Sequence, residues 1–73
     1  MTSEQLAVEL RKAVDRAGHG ERVVAIHLFG IRFSKHLKRK NTREIAGLAG
    51  IPESYGTEIG KGAKLGPFVT INE

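Results

Sequence analysis

Two short apolar patterns that meet at Gly50-Ile51-Pro52 constrain this chain more than any other feature of its sequence. Upstream, the run Ile45-Ala46-Gly47-Leu48-Ala49 reads as a short apolar helix beginning at Asn41 or Thr42, and Glu44 stands three residues after Asn41, the capping-box spacing. Gly50 ends that helix, and Pro52 pre-sets the backbone for the first turn of another, expected from Glu53 to about Gly60 or Lys61. The side chains agree with a steep helix pair. Ala46 is small where two helices would touch, and Gly50, four residues later, takes the positive φ of a tight turn. Ile51 plugs the core beneath that turn, and Ile45, Ala49 and Ile59 complete the apolar set.

The rest of the chain has little material with which to support this pair. At 73 residues it has room for a single domain, expected over 1–73, which buries only roughly 60% of the surface its unfolded chain exposes. It has no Cys, so neither disulfides nor thiolate zinc supplement the core. Leu6, Leu10, Ala13, Val14 and Ala17 recur at helical spacing, which predicts a helix over about 3–17. Thr2 or Ser3 caps it, with Gln5 three residues after Thr2, and Gly18 is read as its left-handed stop. For the next segment a helix over about 22–38 is favoured, because Val24, Leu28 and Ile31 share a face, and Gly30 marks a bend or break. The β-branched Val23, Val24 and Ile26 make a strand at 23–27 the alternative. After a turn at Leu65-Gly66-Pro67, Phe68-Val69-Thr70-Ile71 alternates as a short strand, with Ala63-Lys64-Leu65 as its candidate hairpin partner. The expected fold is mainly α: a compact helical bundle with a helix-turn-helix motif over about 42–61 and a short C-terminal β-strand or hairpin over about 68–71.

Charge adds direction. The formal net charge is +4, yet Arg32, Lys35, Lys38, Arg39, Lys40 and Arg43 fall in one window with no acid among them. The remainder of the chain is therefore slightly acidic, and the basic segment lies directly before the helix pair. A concentrated cationic surface of this kind suits a polyanionic partner.

The stretch from Thr42 to Ile59 resembles the helix-turn-helix motif of bacterial DNA-binding proteins. With Ile26-His27-Leu28-Phe29-Gly30-Ile31 before it and Lys61-Gly62 after it, the chain is similar over about 21–71 to small bacterial proteins described as helix-turn-helix-like (HTH-like). The resemblance implies that the second helix of the motif is a recognition helix presented to the major groove of double-stranded DNA. On that reading Ser54 and Thr57 hydrogen-bond phosphate or a base edge, Glu58 accepts from cytosine N4, and Lys61 lies on the same helix. Arg43 and Lys40, beside Thr42 at the start of the preceding helix, meet backbone phosphates, and Lys38, Arg39 and Lys64 extend that contact. The resemblance further implies a small transcriptional regulator. A homodimer is compatible with two-fold DNA half-sites. Gly56 departs from the motif, standing where a branched apolar residue usually faces the first helix, and Gly47 and Gly60 add further glycines to short helices.

Other chemistries find no support. Gly60-Lys61-Gly62-Ala63-Lys64-Leu65-Gly66 lacks the Walker spacing of a phosphate-binding loop. His19, His27 and His36 are too far apart for a helical metal pair and have no Cys beside them, and no Ser sits in a nucleophile context. No catalytic residue, metal or cofactor is expected. No signal-peptide pattern or bilayer-length apolar run is present, so a cytoplasmic location without membrane contact is expected. The alternative function is a protein–protein interaction adaptor that keeps the helix-turn-helix shape with no DNA role, motivated by the acids Glu53 and Glu58 on the presumed reading helix.

Overall fold

The structure, a computed structural model, describes residues 1–72. α1 (Ser3–Arg16) starts at a complete capping box: the Thr2 hydroxyl accepts from the Gln5 N–H at 3.1 Å, and the Gln5 side chain accepts from the Thr2 N–H at 2.9 Å. Its apolar stripe Leu6, Ala7, Leu10 and Val14 is buried. The helix leaves through an extended Ala17 rather than a left-handed Gly18; the positive φ falls at Gly20, in the turn before the next helix.

Residues 23–27 belong to α2 (Arg22–Arg32), so the strand alternative is overturned. The expected long helix does break, but at Phe33 instead of Gly30. Gly30 stays helical because its bare Cα is the place where another helix crosses. A Cβ there would lie 2.9 Å from the Ala63 N and the Gly62 Cα. The kink at Phe33 keeps its ring against Phe29, with centroids 5.2 Å apart, and lets the one-turn α3 (Ser34–Leu37) bury Leu37.

α4 (Thr42–Leu48) begins under the Asn41 cap, whose Oδ1 accepts from the Glu44 N–H at 3.1 Å. It ends in a Schellman motif. The Gly50 N–H donates to the Gly47 carbonyl at 3.0 Å and the Ile51 N–H to the Ala46 carbonyl at 3.1 Å, with Gly50 at φ +82. That turn drives Ile51 into the core. Pro52 leads into a 3-10 turn, Glu53–Tyr55, and then α5 (Gly56–Leu65). The core joins Leu6, Leu10 and Val14 of α1, Ile26 and Phe29 of α2, Leu37, and Ile45, Ala46, Ala49, Ile51 and Ile59 of the helix pair.

The expected C-terminal strand is not formed. α5 runs on through Ala63-Lys64-Leu65, which removes the hairpin partner, and Gly66–Phe68 makes a further 3-10 turn. Gly66 packs against Ser34, so the chain is folded back under α3, and 69–72 have no strand to pair with among the described residues. The fold is therefore mostly helical, with no strand among the described residues. Among them, no helix is long and apolar enough to cross a membrane.

Candidate nucleic-acid interface

The geometry of the helix pair depends on one close approach. A Cβ on Gly56 would lie 2.8 Å from both the backbone N and the Cα of Arg43. The first turn of α5 thus rests directly on the first turn of α4, and a branched side chain at 56 would push them apart. Gly56, the departure from the expected motif, is what lets the two helix starts converge.

Several expected contact residues are gathered by this docking. α5 buries Gly56, Ile59 and Gly62, so its exposed Thr57, Lys61 and Lys64, spaced four and three residues apart, form a stripe on the open side. Arg43 reaches across the pair to Glu53, 3.8 Å away, with both side chains more than 60% exposed. An ion pair so exposed contributes little, and its guanidinium is readily exchanged to another anion. Ser54 is exposed in the 3-10 turn ahead of α5, and Thr42 is half-buried at the start of α4.

Lys38, Arg39 and Lys40 occupy the link between α3 and α4. The Lys40 N–H donates to the Leu37 carbonyl at 3.0 Å, with Lys38 at φ −58, ψ 129 and Arg39 at φ 64. This is a type II turn, and Arg39 holds the corner where Gly or Asn is ordinarily found. Among non-glycine residues described, Arg39 is alone in having a positive φ. Lys38 and Arg39 are exposed, and α3, which ends at this turn, packs on α5.

Glu58 departs from the expected arrangement. Its Oε1 lies 2.6 Å from His27 Nε2 and its Oε2 accepts from Lys61 Nζ at 3.2 Å, with 23% of the side chain exposed. An ionised carboxylate only accepts, so the His27 ring donates from Nε2. The His27 hydrogen bond, then the Lys61 hydrogen bond, hold the Glu58 carboxyl below its ordinary range. The expected base contact is thus engaged with α2, and the same carboxylate orients Lys61.

Three features of the site were not anticipated. His27, rejected as a metal ligand, bridges α2 to α5. Gly30 and Gly62 allow those helices to cross backbone to backbone, the Gly62 Cα facing the His27 carbonyl. Arg11, exposed on α1, donates from Nη1 to the Ala49 carbonyl at 3.4 Å and so caps the turn of the helix pair. Nothing local in the sequence pointed to the crossing or to Arg11.

Comparison with known proteins agrees with this architecture at the level of family. The family model described as HTH-like domain matches residues 2–72. No curated protein and no solved structure matches the chain. With nearly its whole length matched, the chain belongs to the HTH-like domain family.

Proposed function

We propose that this chain is a double-stranded DNA-binding module acting as a small transcriptional regulator. The observation that carries the reading is the docking of α5 on α4 at Gly56 and Arg43, which leaves Thr57, Lys61 and Lys64 on an open helix face next to the basic turn at Lys38 to Lys40. In this reading α5 enters the major groove, an arrangement open to an α-helix by width alone. Ser54, Thr57, Lys61 and Lys64 contact the groove and its walls. Lys38, Arg39, Lys40, Thr42 and Arg43 lie along the phosphates, Arg43 exchanging Glu53 for a phosphate. Glu58 serves differently from a base contact: held by His27, it keeps its charge off the open face.

The test is a duplex titration across salt. Binding at ~50 mM salt whose log affinity falls with log salt by about 0.9 per neutralised phosphate supports the reading. Charge reversal of Arg39, Lys40 and Arg43 together is expected to abolish binding with an unchanged helical CD signal. A flat salt response, or no duplex binding at that salt, overturns it.

One observation favours the adaptor reading instead: Glu53 is exposed at the start of the reading turn and offers an acid to any approaching surface. If that acid recognises a basic protein, Glu53→Lys breaks a specific complex that survives nuclease treatment.

We further propose that two copies assemble on DNA. Phe68 is 83% exposed, with Leu65 at 47% and Val69 at 45% on the same C-terminal end, an apolar surface that a second copy would cover.

A further inference from the structure

Most of the nine glycines have a reason inside the protein. Gly20 and Gly50 take positive φ. At Gly30, Gly56 and Gly62 a Cβ would strike backbone, and at Gly66 it would strike Ser34. At Gly47 a Cβ would make only ordinary contact with the exposed Glu53 side chain, which does not itself call for glycine. Gly60 has no such reason. It lies in the interior of α5, its φ is not positive, and a Cβ there would meet nothing within 4 Å. A glycine in a helix interior destabilises the helix relative to alanine, and here no packing inside the chain offsets it.

Its position on the helix is specific. Gly60 is half-buried and falls three residues after Thr57 and four before Lys64, with Lys61 next to it, at the edge of the open face of α5. Among the described residues, Lys64 has no ion-pair partner, so cationic side chains flank a strip of bare backbone. A bare helix surface between cations fits a rigid anionic partner that approaches to van der Waals distance, because the missing methyl lets the helix axis sit deeper.

Resting on the DNA-binding reading, we propose that Gly60 is the positioning residue at which the α5 backbone seats in the groove of duplex DNA. It sets the depth of the helix, and with it the reach of Thr57, Lys61 and Lys64. Gly60 is a steric determinant; the cations on either side supply the attraction.

The experiment uses the full chain and a duplex enriched by it from a random-sequence library, with Gly60→Ala, Gly60→Leu and Lys64→Gln as variants. Gly60→Ala is expected to raise the thermal midpoint and to weaken duplex binding by roughly tenfold, the scale of one lost good contact. Gly60→Leu is expected to bind more weakly still, while both keep the salt slope of the parent. Lys64→Gln is expected to lower that slope by about 0.9, the loss of one phosphate contact. A Gly60→Ala variant that is stabilised and binds as tightly as the parent, with Lys64→Gln reducing the slope, overturns the role of Gly60 and leaves the DNA reading standing. Failure of the parent chain to enrich or bind any duplex at ~50 mM salt overturns both.

Discussion

At the scale of single residues, Arg39 and Glu58 each occupy a place that local rules would give to something else. Arg39 sits at the corner of a type II turn with φ 64, a backbone state costing an L-residue roughly 1–2 kcal/mol. Among the described residues, Arg39 makes no side-chain hydrogen bond or ion pair that accounts for that choice over glycine, whereas an exposed cation between Lys38 and Lys40 does so if phosphate is the partner. Glu58 is an acid on a helix face otherwise set with lysines, and its two hydrogen bonds explain how it is tolerated. Their sign fixes a pH dependence. Folding lowers the Glu58 pKa from an ordinary 4.5, so the carboxylate contributes stability that is fully present above that value and is lost as pH falls through the lowered folded value. Urea midpoints taken from about pH 6 down to about pH 3 are expected to drop further for the parent than for Glu58→Gln. The two curves should converge at the acid end. Parallel curves across the range would mean that the hydrogen bonds to His27 and Lys61 do not discriminate between the protonation states.

At the scale of elements, what was legible in the sequence divides by distance along the chain. The Thr2 cap on α1, the Asn41 cap on α4, the Gly50 stop and the burial of Ile51 are all set by neighbours within five residues, and spacing alone anticipated them. The pairs that fix the helices relative to one another are remote: His27 with Glu58 across 31 positions, and Arg11 with Ala49 across 38. Gly30 looked like a flaw in a helix because the helix that needs it lies far downstream. The C-terminal strand failed for the same reason. Alternation at 68–71 describes a strand only when another strand is present, and α2 and the end of α5 had taken both candidates as helix. The α2–α5 crossing carries the element-scale prediction. Gly62→Ala places a methyl against the His27 carbonyl and Gly30→Ala one 2.9 Å from the Gly62 Cα, both against backbone that cannot rotate away. Each is expected to cost about 1–3 kcal/mol by overpacking, or more if the crossing cannot widen, read from chemical denaturation. The double variant is expected to cost less than the sum, since one widening of the crossing relieves both. Full additivity would mean that the two methyls are accommodated by separate movements.

At the scale of the whole molecule, the core consists of a few fully buried side chains, Leu6, Leu10, Ile26, Ile45 and Ile59, with smaller residues around them. A chain of this length leaves apolar surface outside at several places, and its most exposed large side chain among the described residues is Phe68, 83% exposed in the turn that follows α5. Its position there is enforced. Gly66 packs on Ser34, so the backbone is held to α3 while the Phe68 ring is directed outward. Because the ring contributes almost nothing to the monomer core, self-association and folding separate cleanly at this residue. If two copies meet through Phe68, mass action stabilises the folded state, and the thermal midpoint rises with protein concentration. Phe68→Ser is then expected to abolish that dependence while matching the parent midpoint at the lowest concentration, with sedimentation reporting a shift from dimer to monomer. A midpoint independent of concentration in the parent would place the chain as a monomer. Duplex binding would then have to be achieved by one copy, with the basic turn at Lys38 to Lys40, the start of α4 at Thr42 and Arg43, Ser54 and the open face of α5 supplying its contacts.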